Sequence, residues 1–244
     1  MVKNIKELKR NSDVVTLLGS GESLNKITDK QWKIIMNKDV WALNNHIYHP
    51  TIIPAVYHYE LKAYDFTIVQ ERFIEKWEQY KNVKYVLPND RINYLMGALP
   101  GKADVYGYDY ITRGKHPKLD KNQKIDANYD PNGKTFVKSY DASVNLMIDI
   151  FYKMGYSQIW LIGFDGSNSR YFWTGGDPKY GKVHHQYNKA HEHNDPTRPH
   201  NAAAASIDFI IDFNKRWMLP NGKEIFIGSE KTLLYPSLKL INFK

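Results

Sequence analysis

Apolar residues in this chain fall in short unbroken runs, separated by longer stretches with near-helical spacing. "VVTLLG" is apolar except for Thr16, the pattern of a strand buried on both faces. "DVWALNNHIYH" predicts a second strand that ends at Asn44-Asn45. "TIIPAVYHYE" predicts a third, interrupted by Pro54, and "VKYVLP" a fourth, stopped by Pro88. "SQIWLIGFD" and "KEIFIGS" complete the set, the former ending at Asp165. Helical patterns lie between the strands. Leu24, Ile27, Trp32, Ile35 and Met36 recur irregularly after the first strand. Phe66, Val69, Phe73, Trp77 and Tyr80 mark one side of an amphipathic helix. "SVNLMIDIFYKMG" turns Val144, Met147, Ile148 and Phe151 inward and stops at Gly155. "NAAAASIDFIIDFNKRW" predicts a last helix, ended near Leu219-Pro220. Strands that alternate with helices predict a single α/β domain over 1–244, a mostly parallel sheet flanked by helices. Residues 89–137 are rich in Gly, Asp, Asn, Lys and Tyr and break the rhythm, so they are expected to be an insertion or lid.

Composition narrows the chemistry. The absence of Cys excludes disulfides, thiolate metal sites and cysteine nucleophiles. The charged start "MVKNIKELKRNSD" predicts no secretory signal, and no apolar run is long enough for a membrane span. The expected location is cytoplasmic. The formal charge of +8 suits an anionic partner, whether nucleotide, acidic glycan, nucleic acid or the inner-membrane surface as a peripheral site.

In an open parallel sheet, ligands bind outside the carboxyl ends of the strands. Gly19-Ser20-Gly21, Asn44-Asn45, His58-Tyr59, Asp165 and Ser229 all fall at such ends. Gly19 and Gly21 are expected to let the backbone approach an anion, with Ser20 and Ser23 as hydroxyl donors. The alternative is a tight turn with no ligand. The motif is neither a Walker A loop nor a full Gly-x-Gly-x-x-Gly, since Leu24 stands at the last position. Asn44 is read as a contact to ribose or a base edge, against a plain turn or cap. The loop with His184, His185, His191 and His193 has two readings. It is a metal site using His191, His193 and another His or Asp195, or a general base among solvated neighbours. The spacing matches no zinc signature, and no metal is assigned. His200 opens the last helix, where its ring is well placed to deprotonate a hydroxyl.

This set resembles the bacterial sialyltransferases that use CMP-sialic acid. Their opening strand runs into Gly-Asn-Gly-Pro-Ser-Leu. Here the segment is Gly19-Ser20-Gly21-Glu22-Ser23-Leu24. "VWALNN" supplies Asn44 for the family's nucleotide-contacting Asn. "DASVNLMIDIFYKMGYSQIWLIGFD" matches a Ser-containing turn, a helix ending Gly-Tyr, and a strand with Gly-x-Asp. The matching residues are Ser143, Gly155, Tyr156, Gly163 and Asp165. His200 matches the family's base, and "GSEKTLLYPSL" is similar to its final segment. The same core also resembles flagellin-modifying glycosyltransferase-like proteins and an archaeal hydroxymethylpterin diphosphokinase.

The resemblance implies a Rossmann-like, variant GT-A fold and an inverting, metal-independent glycosyltransferase. It needs no cofactor beyond its nucleotide-sugar donor, expected to be CMP-linked. The donor phosphate would sit at Gly19, Ser20, Gly21 and Ser23, with Asn44, Ser143 and Asp165 in the nucleotide site. His200 would take the proton of a hydroxyl-bearing acceptor on a glycan, lipid-linked glycan, protein or modified DNA base. Tyrosine hydroxyls, with Tyr171 and Tyr187 the named candidates and Tyr180 a third, would help the phosphate leave. Two alternatives remain at this point. One is a magnesium-dependent diphosphokinase of the same superfold, using Glu22 and Asp165. The other is a DNA-binding protein or transferase acting on modified bases, prompted by the charge and by the basic, aromatic segment 102–138. Homo-oligomer formation is left open.

Overall fold

The computed structural model describes residues 1–59, 66–97, 99–113, 129–139, 142–165, 171–172 and 203–243. The fold is Rossmann-like α/β. Its nine-stranded sheet comprises β1 (Lys3–Asn4), β2 (Val14–Leu18), β3 (Asp39–Leu43), β4 (Val56–His58), β5 (Lys84–Pro88), β6 (Asp104–Tyr108), β9 (Gln158–Ile162), β10 (Glu224–Ile227) and β11 (Lys239–Leu240). The spatial order is β1-β6-β5-β4-β3-β2-β9-β10-β11. Every pairing in the sheet is parallel. A separate parallel pair joins β7 (Tyr110–Arg113) to β8 (Phe136–Ser139).

Strict alternation along each central strand sends its residues to two separate cores. Val15 and Leu17 of β2, Trp41 and Leu43 of β3, and Ile159 and Leu161 of β9 pack on one face. Leu18, Val40, Ala42, Trp160 and Ile162 pack on the other. Both faces are covered, which is why these strands read as unbroken apolar runs. The first core is closed by α5 (Ser143–Met154) and α6 (Ala203–Phe213). Ile35 of α1 (Asp29–Met36), Phe73 of α2 (Phe66–Glu75) and Ile92 of α4 (Ile92–Met96) belong to the second.

The helix ends follow local chemistry. Thr28 caps α1, its side chain accepting from Gln31 N while the Gln31 side chain accepts from Thr28 N. Thr28→Ala should remove one partner of this reciprocal pair and cost about 1 kcal/mol in a urea unfolding curve. α5 stops where Gly155 takes φ 85°, a left-handed cap. The amphipathic run predicted through Tyr80 breaks at Lys76, so α2 is followed by a separate turn, α3 (Trp77–Tyr80). The last helix continues as a π turn over Asn214–Met218 and a 3-10 turn to Asn221, close to the predicted stop at Leu219-Pro220.

The segment 89–137 is corrected in part. Residues 104–108, inside the expected insertion or lid, form β6, a strand of the main sheet between β1 and β5. Residues 110–113 pair with 136–139. Buried Asp149 of α5 anchors the latter stretch. Its carboxylate accepts from Val137 N at 2.8 Å, from Lys153 Nζ at 2.9 Å and from Tyr129 Oη. Among the described residues, no helix is long and apolar enough to cross a membrane.

Candidate functional site

From β2 the chain moves outward through β3, β4, β5 and β6 on one side. β9, β10 and β11 extend the sheet on the other. The connections therefore diverge between β2 and β9, and the crevice at a parallel sheet's switch point lies outside the carboxyl ends of those two strands. The sequence-predicted Gly19–Ser23 turn follows β2, and Asp165 follows β9.

These two strand ends are locked together. Gly19 N donates to Ile162 O and Gly21 N to Gly163 O, each at 2.8 Å. Buried Asp165 accepts from Ser23 N at 3.1 Å and from Ser23 Oγ. Leu24 N donates to Gly21 O at 3.2 Å. A Cβ on Gly19 would lie 2.4 Å from Gly163 O, and one on Gly21 would lie 2.5 Å from Asp165 Oδ2. The two glycines are thus required by the neighbouring strand end. The amides of Gly19, Gly21, Ser23 and Leu24 are engaged within the protein. Asp165, expected beside the nucleoside, has the Ser23 turn as its partner.

Tyr171 comes to the same turn from far along the chain. It forms an isolated antiparallel bridge with Gly21, and Phe172 N donates to Ser20 O at 3.0 Å. Burial pushes the Tyr171 phenol above its usual range, so it is a neutral hydroxyl near pH 7.

Asn44, at the end of β3, has φ 44°, the only non-glycine residue with positive φ among those described. Asn tolerates this left-handed conformation better than most residues. Its carbonyl accepts from Tyr57 Oη, and Asn44 and Asn45 are half-buried. Ser143 is the first residue of α5 and is also half-buried. Two residues on, Asn145 is fully buried, with Nδ2 donating to Ser139 O at 2.9 Å; its Oδ1 has no partner among the described residues.

Two lysines escaped the sequence reading. The neighbouring Lys231 ammonium, followed by some loss of hydration, holds the Lys26 amine below its usual range, and Glu22 and Asp165 pull it back up. Lys26 follows β2 and Lys231 follows β10, so two cations stand side by side near the switch point. Their adjacency depends on the order β2-β9-β10 and has no signature in the sequence. His46 is a second omission. Its Nδ1 lies 3.4 Å from Gly19 O, its ring stacks on His49 at 5.3 Å, and Nε2 has no partner among the described residues. Burial lowers its pKa to about 4. His58, noted at the end of β4, lies with Nε2 2.6 Å from Tyr108 Oη at the end of β6.

His200 and Tyr187 lie outside the described residues, as do Tyr180, His184, His185, His191, His193 and Asp195. The described residues contain no group of three metal-ligating side chains. Family models, curated protein sequences and solved structures give no match to this chain.

Proposed function

We propose that the chain is a nucleotide-sugar-dependent glycosyltransferase, inverting and metal-independent, whose CMP-linked donor sits at the switch point between β2 and β9. The observation that carries this reading is convergence. Ser23, Asp165, Asn44, Tyr171 and the Lys26–Lys231 pair come from separate parts of the chain, and all follow carboxyl ends of the central strands or abut the β2 turn. Two adjacent ammonium groups repel one another, and an anion between them offsets that repulsion.

The turn after β2 then serves as a rigid wall rather than an amide cradle, with Lys26 and Lys231 supplying positive charge to the donor phosphate. Asn44, fixed by its left-handed backbone, offers its amide to the nucleoside. In the reaction, the acceptor hydroxyl oxygen bonds to the anomeric carbon as the bond from that carbon to the donor phosphate breaks. His200 takes the hydroxyl proton, and the nucleotide leaves as its phosphate. The neutral phenol of Tyr171 donates a hydrogen bond to the charge that develops there, a role shared with Tyr187. The acceptor is a hydroxyl-bearing glycan, lipid-linked glycan, protein or modified base.

A thermal-shift panel of CMP, UDP, GDP, ADP and ATP, with and without magnesium, tests this. CMP should raise the melting temperature without metal, because a ligand stabilises by its excess over its dissociation constant. Lys26→Gln with Lys231→Gln should cut nucleotide affinity by about tenfold, the scale of one lost charge-assisted contact. A shift seen only with ATP and magnesium would replace the transferase by the diphosphokinase. Binding of DNA with a steep salt dependence, and of no nucleotide, would favour the nucleic-acid reading.

A further inference from the structure

A second concavity lies at the opposite end of the sheet. Arg10 precedes β2, Gly155 precedes β9 and Lys223 precedes β10, so this is the amino-end edge, away from the switch-point crevice. The cavity has a volume of about 830 Å³, within the range of small-molecule sites. Five cations line it: Lys6, Arg10, Lys134, Lys153 and Lys223. None of the described lining residues is acidic.

Two of these charges have partners. Lys153 Nζ lies 2.9 Å from the buried carboxylate of Asp149. Arg10 lies 3.8 Å from Asp13, whose side chain is 83% exposed, a geometry that neutralises little. Lys6, Lys134 and Lys223 make no ion pair among the described residues. Two rings line the cavity, and both already carry a cation. Lys223 Nζ stands 4.4 Å from the Tyr152 ring centroid and Lys153 Nζ 5.8 Å from that of Phe136. Both rings are buried, so neither offers a free face on which a base would stack. Partial burial, and then Arg10, lowers the proton affinity of Lys223.

We propose that this cavity is a binding site for a compact polyanion, a ligand carrying two or more phosphate groups. The cations come from four separated stretches of chain and surround a space larger than one phosphate fills. A ligand with several negative groups offsets their mutual repulsion. With no open ring face, the cavity reads charge and not a base. A free polyphosphate and a polyphosphorylated lipid headgroup share this chemistry. Either would tie the segment around Lys6 and Arg10 to the end of α5 and the start of β10. This site is independent of the transferase reading, since none of its residues belongs to the carboxyl-end crevice.

Calorimetric titration with inorganic tripolyphosphate tests it, performed in wild type and in the Lys26→Gln, Lys231→Gln background that lacks the cation pair at the other end. One ligand per chain should bind in both proteins, more weakly as salt rises. Lys6→Gln with Lys134→Gln alters two exposed side chains and should leave the unliganded melting temperature unchanged. It should weaken binding by about tenfold, as should Lys223→Gln. Phosphatidylcholine vesicles with and without a phosphoinositide bisphosphate separate the two sources. Retention only with the phosphoinositide, lost in the same variants, assigns a lipid headgroup; tripolyphosphate binding without retention assigns a soluble ligand. No binding to either probe, or binding unchanged in both sets of lysine variants, overturns the proposal.

Discussion

Gly19→Ala should lose about 3 kcal/mol of folding stability, the upper end of what overpacking a tight interior costs. The added methyl would meet the Gly163 carbonyl at 2.4 Å, a backbone atom that no rotamer change can move aside. Relief requires parting β2 from β9 at their carboxyl ends, where Gly19 N donates to Ile162 O. The Gly163 carbonyl is itself held in place, accepting from Gly21 N at 2.8 Å. Urea unfolding monitored by tryptophan fluorescence checks this. A loss below about 1 kcal/mol would mean that the two strand ends are not locked as described. The same argument separates a structural glycine from a phosphate-approach glycine, because the cost appears without any ligand.

Acidification should remove a comparable amount through His46. The unfolded imidazole takes up a proton below about pH 6.5. In the folded protein, burial first, opposed by the Gly19 and Ile52 backbone and assisted by the charge of Lys76, holds the ring neutral until about pH 4. A depressed folded pKa contributes stability that is complete above the unfolded value and lost as pH falls through the folded one. The window is thus pH 6.5 to 4, and its depth is about 3 kcal/mol for a shift of this size. His46→Gln removes the titrating group. Stability measured from pH 7 to 4 should fall less steeply in the variant, by about that amount. Parallel curves for the two proteins would show that His46 titrates normally. The experiment bears on the site because His46 lies beneath the Gly19 turn.

The sheet was largely legible because strands covered on both faces leave continuous apolar runs. β2, β3, β5 and β9 have that form, whereas β10 buries Ile225 and Ile227 and leaves Glu224 and Phe226 half-buried. β6 was not, since Asp104–Tyr108 mixes Asp, Gly and Tyr with a single aliphatic residue, and its burial comes from neighbours rather than from its own composition. The two-residue edge strands β1 and β11 are exposed and too short to carry a hydrophobic pattern. In the site, strand-end residues could be named, because the carboxyl-end rule needs only the strands. Their partners could not. The role of Gly19 depends on Gly163, and that of Ser23 on Asp165, contacts made only once β9 lies beside β2. The Lys26–Lys231 pair needs the further placement of β10. Local pattern gives elements, whereas the meaning of a turn residue is set by whatever the topology brings against it.

We propose that the crevice between β2 and β9 holds a nucleotide, with Asn44 as a direct contact. Asn44→Gly tests it most directly, because glycine accepts φ 44° without strain and leaves the carbonyl that Tyr57 uses intact. Calorimetric titration of CMP into wild type and Asn44→Gly, alongside their melting temperatures, is the measurement. CMP should bind Asn44→Gly about tenfold more weakly than wild type, the loss of one or two hydrogen bonds. Equal CMP affinity in the two proteins, or no CMP binding by wild type, would contradict it.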